Sequence, residues 1–351
     1  MTSTSSSSVS KLRASAPFNS AEFSRAVALW FRKVARDLPF RKTSDPYKIW
    51  ISEVMLQQTT VATVIDYYKK FTEKFPDIQT LAAAEEDEVL KLWQGLGYYS
   101  RAKNLRKGAQ VLMKSFGGIF PRSREELLQI PGIGPYTAGA ISSIALGIPQ
   151  AALDGNLIRV YSRFFGIKKP VDDVSTLKEL WKIAHNLVPS DISILRDFTE
   201  GMMELGATVC LPRNAVCSAC PLKKNCKAFK MSLVESLPIK AKKSERTKLR
   251  ERIYFLRKGR NIAIMERGAD PKFPHFWRLP YEAVNEGLKD YHLKMKYSVT
   301  TRDFEVFVDI ESRPPKKMKL TYVSEKKLSE MLLPTIDRKI FQKLAKYSQA
   351  N

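Results

Sequence analysis

The chain has 351 residues, 44% of them hydrophobic, enough for one large core and a second smaller one, and too apolar for a solvated tail or a fibre. Its 59 Lys and Arg against 36 Asp and Glu leave a formal net charge of +23. Such an excess points to a polyanion whose phosphates are neutralised with salt-sensitive affinity, although a ribosomal, membrane-surface or solubilising role would carry charge as well. No apolar run approaches the ~20 residues of a bilayer span, which excludes a helical membrane protein.

In chain order, residues 1–19 form a Ser-rich leader with a few bases and no acid in its first sixteen positions. That composition buries no core, so a disordered segment is predicted, with a transit peptide as the alternative. From Ser20 to Phe229 the chain reads as successive amphipathic helices. In the stretch 45–71, Trp50, Val54, Val61, Ile65 and Tyr68 recur at helical spacing and predict one continuous buried stripe. Glu53 sits against it beside Ile49, Trp50 and Leu56. It is either a solvated helix-surface acid or a desolvated one that holds a proton near neutrality.

Residues 122–147 parse as helix, tight turn, helix. Ser123 and Glu126 form a capping box, Pro131-Gly132-Ile133-Gly134 supplies the turn, and Pro135 starts the next helix. Outward backbone amides at such a turn suit one phosphate without reading a base, though a helix connector alone would look the same. Asp154 then stands at the entrance to another helix, where an N-cap would explain it as well as a function.

The four cysteines all fall in one window, Cys210-x6-Cys217-x2-Cys220-x5-Cys226. Thiolates this close along a loop converge on one inorganic centre, and a 4Fe-4S cluster is favoured. Zinc is less well matched because only Cys217 and Cys220 form a Cys-x-x-Cys knuckle. Two disulfides would need an exported protein, and no apolar export segment precedes them. Composition changes again after a basic linker at 230–250. An alternation at Ile253 and Phe255, a turn at 258–261 and Ile262 to Met265 predict a hairpin. Further strands are expected at Phe304 to Ile310 and Leu320 to Val323, with a closing helix from Glu325 to Lys346, making 251–351 a second, α+β domain.

The ordered set of Pro131-Gly-Ile-Gly, Asp154 and the cysteine window resembles the helix-hairpin-helix DNA glycosylases of the endonuclease III type. The resemblance implies a mostly α glycosylase domain at 20–229 with a 4Fe-4S loop at 210–226. Bifunctional members carry a nucleophilic Lys two residues beyond the last hairpin glycine; here Tyr136 stands there, and a phenol forms no Schiff base. Three strings are similar to the adenine glycosylase (MutY) branch: Leu38 to Arg41, Ser52 to Thr59 and Gly95 to Ala102. The family usually has Trp where Phe40 stands.

By that resemblance, Glu53 is the general acid at adenine N7 and Asp154 the carboxylate that stabilises the oxocarbenium-like sugar, with Tyr136 and Asn156 orienting Asp154 and water. The target base must leave the duplex first. Gln58 and Tyr98 match residues that wedge into the gap, and Arg41, Leu56, Gly132 and Gly134 complete the implied DNA contacts. The cysteine cluster shapes a basic loop with Arg213, Lys223, Lys224 and Lys227. Residues 251–351 are implied to be a Nudix-like domain for inspecting the opposite base: Phe276 to Pro280 resembles its Trp-x-Phe-Pro segment, and the acid-rich hydrolase box is missing. Where the family has Phe-Ser-His, Val299-Thr300-Thr301 aligns, and the domain's histidines, His275 and His292, lie elsewhere. The implied protein is a monomeric, monofunctional adenine glycosylase acting on duplex DNA with A opposite 8-oxoguanine or guanine, placed in the cytoplasm with the nucleoid. A T/U mismatch glycosylase and a non-catalytic lesion-scanning protein are the alternatives.

Overall fold

The computed structural model describes residues 19–241, 246–299, 302–310, 314–315 and 317–347. The leader therefore lies outside the described residues, apart from Asn19, as do Thr300 and Thr301 of the altered loop. The chain divides into two compact units, one formed by Met1–Leu92 and Tyr98–Lys243, the other by Trp93–Gly97 and Ser244–Asn351. The predicted linker at 230–250 is thus divided: its first part stays with the helical unit, and a strand already begins at Thr247.

The first unit is built from helices α1 (Ser20–Val34), α2 (Pro46–Leu56), α3 (Val61–Lys74), α4 (Ile78–Ala83), α5 (Glu86–Leu92) and α6 (Ser100–Phe116). It continues with α7 (Arg124–Leu127), α8 (Pro135–Ile144), α9 (Gly155–Phe165), α10 (Val174–Leu187), α11 (Ile192–Glu204) and α12 (Lys227–Lys230). Short polar side chains start many of them by accepting from the otherwise unpaired amides of the first turn. Asn19, Asp45, Asp77, Ser123, Asp154, Asp173 and Asp191 all do so. At Ser123 the box differs from expectation, because its hydroxyl donates to the Glu126 carboxylate at 2.6 Å while also capping the Glu126 amide at 3.2 Å.

The continuous stripe predicted through Trp50 and Tyr68 is two helices. The chain breaks after Leu56, Gln58 turns into the left-handed region at φ 59, and α3 begins at Val61. The cause is Arg101 on α6, whose guanidinium takes the carbonyls of Val54, Met55 and Gln57 at 2.7, 3.1 and 2.5 Å and so ends α2. Consequently Val64, Tyr68 and Phe71 form the buried face of α3, while Val61 and Ile65 are only half-buried. Helix α2 is buried nearly all round, from Ile49 to Met55, and packs against α8.

One core joins α1, α9, α10 and α11 through Phe23, Val27, Leu157, Tyr161, Leu180 and Phe198, with Cys210, Cys220 and Cys226 packed against its edge. The approach to Asp154 is very close: a methyl group on Gly139 of α8 would lie 2.0 Å from the Ala151 carbonyl oxygen. Only glycine lets α8 and the segment 151–153 touch backbone to backbone.

Among the described residues the second unit holds seven strands: β1 (Thr247–Tyr254), β2 (Arg257–Lys258), β3 (Asn261–Met265), β4 (Tyr281–Ala283), β5 (Leu293–Val299), β6 (Arg302–Asp309) and β7 (Leu320–Ser324). One sheet runs β4-β1-β6-β5, with β1 parallel to β6 and the outer pairs antiparallel; the other runs β2-β3-β7. The predicted hairpin is therefore only the two-residue β2 against β3, since β1 belongs to the other sheet. The predicted closing helix is also two, α13 (Glu325–Glu330) and α14 (Thr335–Tyr347), because Pro334 cannot continue a helix. Arg278, 1% exposed, ties this unit internally by pairing with Asp270 at 2.5 Å and Asp337 at 3.3 Å.

Candidate active site

Glu53 projects from α2 with 6% of its surface exposed, too buried for a solvated surface acid. Burial pushes its carboxyl up to about 7; the Tyr136 hydrogen bond opposes this, Asp154 and Glu200 add to it, and Arg41 lowers it. The Tyr136 hydroxyl, from the first turn of α8, donates to Glu53 Oε2 at 2.6 Å. Burial also pushes that phenol well above its ordinary range, so it remains a donor.

Asp154 is both the helix cap and a member of the site. Its Oδ1 accepts from the amides of Asn156 and Leu157 at 3.0 and 2.8 Å, and its Oδ2 from Asn156 Nδ2 at 3.1 Å. Burial raises its pKa, and these three donors and Arg159 offset only part of that rise. Placement at the N-terminus of α9 favours the anion as well. Asn156 is in turn held by Arg159, which donates to its Oδ1 at 3.0 Å and to the carbonyls of Gly206 and Cys210 at 2.8 and 2.7 Å.

One cavity of about 960 Å³ brings these groups together. Glu53, Tyr136, Asp154 and Asn156 line it, along with Arg41, Leu56, Gln58 and Phe40. It is large enough for a nucleoside with its flanking phosphates. Phe40 makes an edge contact with Tyr68, ring centroids 5.7 Å apart. Arg41, expected as a DNA contact, lines the cavity, pairs with Glu204 at 2.7 Å and lies over the Phe31 ring.

The cavity also holds residues the sequence reading did not single out: Glu200, Glu204, Arg36, Gln57 and Met203. Glu200 and Glu204 stand one turn apart on α11, a spacing that reads as a solvated acidic face. Both are buried.

Gln58 and Tyr98 both have positive φ, 59 and 47, a costly conformation for side chains with a Cβ and one that concentrates at functional sites. Arg101 connects them, since it holds the carbonyl of Gln57 and lies over the Tyr98 ring at 5.7 Å. Tyr98 is 52% exposed. The turn at 131–134 borders an open groove of about 510 Å³ that runs from Leu128 to Thr137. Gly132 has φ 87 and needs to be glycine; Gly134 has extended backbone instead, and serves as the cap of α8 with open space beside it.

Cys210, Cys217, Cys220 and Cys226 line one pocket with Arg163 and Lys223. Arg163 donates to Cys210 Sγ at 3.4 Å and to the carbonyls of Leu211 and Pro212, which fastens the loop to α9. Among the described residues no three His, Cys, Asp or Glu side chains are arranged around a single metal ion. The donor set, four thiols with a guanidinium and an ammonium beside an apolar wall, fits an anionic iron–sulfur unit. No helix among the described residues is long and apolar enough to cross a membrane.

Residues 51–186 match the family described as HhH-GPD superfamily base excision DNA repair protein. An adenine DNA glycosylase of Buchnera aphidicola is 44% identical over 219 residues, 62% of this chain and 62% of that protein. A thymine/uracil-DNA glycosylase of Pyrobaculum aerophilum is 36% identical over 210 residues, 59% of this chain and 91% of that protein. The solved structure of a thermostable thymine-DNA glycosylase is 32% identical, with a TM-score of 0.54 over 60% of this chain and 97% of that one. The match spans less than two thirds of the length of the adenine DNA glycosylases found similar, among them that of Homo sapiens at 39%. With a family match across the hairpin and Asp154 and near-full coverage of a relative, the chain belongs to the HhH-GPD superfamily of base excision DNA repair proteins.

Proposed function

We propose that this protein is a monofunctional adenine DNA glycosylase of base excision repair that removes adenine opposite 8-oxoguanine or guanine. The observation that carries the proposal is the shared cavity of Glu53 and Asp154, one carboxyl held near neutrality by burial and the other supplied with hydrogen-bond donors. Cleaving an N-glycosidic bond needs an acid for the leaving base and a negative charge for the cationic sugar. Burial raises both carboxyls, but Glu53 has one hydrogen-bond donor and Asp154 three, which divides the roles of acid and anion between them.

In this reading the flipped adenine enters the cavity and Glu53 delivers its proton to N7, so that the base departs neutral as the C1′–N9 bond breaks. Asp154, as carboxylate, stabilises the positive charge at C1′ until water adds there. Tyr136 holds Glu53 in place, and Asn156 holds Asp154. A Tyr at position 136 offers no amine, so the phosphodiester backbone is expected to stay intact. Gln58 and Tyr98 are assigned to the gap left in the duplex, and the groove along 128–137 to a backbone phosphate, with Gly132 making the turn and Gly134 leaving room to approach. Arg41 is assigned to the cavity wall.

The four cysteines are assigned to a 4Fe-4S cluster, which would supply rigidity to the loop when bound. Residues 251–351 are assigned as a Nudix-like domain that inspects the opposite base, with weakened preference for 8-oxoguanine because Val299-Thr300-Thr301 stands at the expected Phe-Ser-His loop.

A second reading, removal of thymine or uracil, is favoured by the relative that is matched over 91% of its length. The strings Ser52 to Thr59 and Gly95 to Ala102 support adenine instead. Duplexes carrying A·8-oxoG, A·G and G·T pairs, treated with enzyme and then with alkali, separate the two readings. The expected products are alkali-dependent breaks at A in the first two; a break only at T would favour the second reading.

A further inference from the structure

The cavity has a charge balance that the two-carboxylate chemistry does not explain. Beside Glu53 and Asp154, α11 contributes Glu200 and Glu204, and the segment after α1 contributes Arg36 and Arg41. Glu204 is the centre of this second set, with a side chain 1% exposed. Its Oε1 accepts from Arg36 Nε at 2.6 Å, and its Oε2 from Arg36 Nη2 at 2.8 Å and Arg41 Nη2 at 2.7 Å. Arg41 also donates to the Arg36 carbonyl at 3.3 Å, so the two arginines are folded onto the same carboxylate. Glu200 is served separately, by Arg196 at 3.2 Å.

A buried carboxylate that binds two guanidiniums constrains both, because losing it would leave the largely buried Arg41 and the more exposed Arg36 without their shared counter-charge. The groups facing Glu53 are Tyr136 from α8, Asp154 from the start of α9, Glu200 and Glu204 from α11, and Arg36 and Arg41. Of the cations, Arg41 acts on Glu53 most directly.

We propose that Glu204 is a positioning residue: by clamping Arg36 and Arg41 on the cavity wall, it limits the positive charge that they present to the Glu53 carboxyl. Both arginines then act as fixed, half-neutralised groups rather than as free cations in the base-binding space. The inference rests on the assignment of Glu53 as the acid, but it concerns the titration of that group and is readable without substrate.

The test is the midpoint of Glu53 in the full-length protein labelled with carbon-13 at Glu carboxyls, its resonance identified by its loss in Glu53→Gln. Glu204→Gln removes the negative charge and keeps the shape. Positive charge on the wall then favours the Glu53 anion, and the midpoint is expected to fall by roughly half to one pH unit. Arg41→Met is expected to raise it, Glu204→Asp to restore most of the original value, and the double variant Glu204→Gln/Arg41→Met to lie between the two single variants. Should Glu204→Gln fail to fold, Arg41→Met still reads the effect in the opposite direction. A change in melting temperature with midpoints unmoved overturns the inference, even with adenine release intact. Midpoints that move as stated in a protein that releases no adenine uphold it and overturn the proposed function instead.

Discussion

The Tyr136 hydroxyl donates to Glu53 Oε2 at 2.6 Å, joining the first turn of the helix after the hairpin to the acid on α2. Because the bond is made to the carboxyl group, it helps the anion and partly offsets the burial that raises Glu53 to about 7. Tyr136→Phe removes that help. The midpoint should rise, and the alkaline limb of adenine release, where Glu53 loses its proton, should move to higher pH. A pH profile of single-turnover release checks this, and a shift to lower pH would contradict it.

Stability is linked to the same proton. The folded Glu53 binds it more tightly than its ordinary value of 4.5 implies, so the stabilisation is full below that value and is lost as pH rises through about 7. The loss comes to about 3 kcal/mol for a shift of this size. Glu53→Gln cannot ionise and avoids it. The variant should gain melting temperature over the wild type at pH 8 and gain little or none at pH 5, while adenine release at neutral pH is lost. Equal differences at the two pH values would show that Glu53 is not held protonated.

Asp154→Asn separates capping from chemistry. Asn caps a helix about as well as Asp, so folding should survive. The charge that would stabilise the sugar is gone, and release is expected to drop by at least about 100-fold. Binding of an A·8-oxoG duplex, followed by fluorescence anisotropy, should persist; unchanged release would remove Asp154 from the mechanism.

Gly139→Ala tests how the site is built. Its new methyl would lie 2.0 Å from the Ala151 oxygen, and backbone cannot swing aside as a flexible side chain can. Overpacking of this kind costs about 2 kcal/mol or more and pushes the segment leading to Asp154 away from α8. Chemical denaturation should show the loss, and a fully stable variant would mean that this approach is looser than described.

The apolar surroundings of Glu53 and the helix start at Asp154 were legible because each is a local pattern, whereas their proposed roles came from the family resemblance. The end of α2 was not legible, since nothing near Gln57 stops a helix; the cause, Arg101, arrives from α6. Glu200 and Glu204 were missed for a related reason. An acidic pair one turn apart looks solvated until Arg36 and Arg41 reach Glu204 from another element. In the second unit the strands at 302–309 and 320–324 were visible as alternation. The parallel pairing of β1 with β6 was not, because sheet order depends on contacts between distant segments.

The most direct test of the central claim is single-turnover base release by the wild type from A·8-oxoG, A·G and G·T duplexes, with free base identified chromatographically and strand breaks scored before and after alkali. Adenine should be released from the first two, with breaks appearing only after alkali. Thymine released from G·T with adenine retained, or breaks formed without alkali as fast as base release, would contradict it.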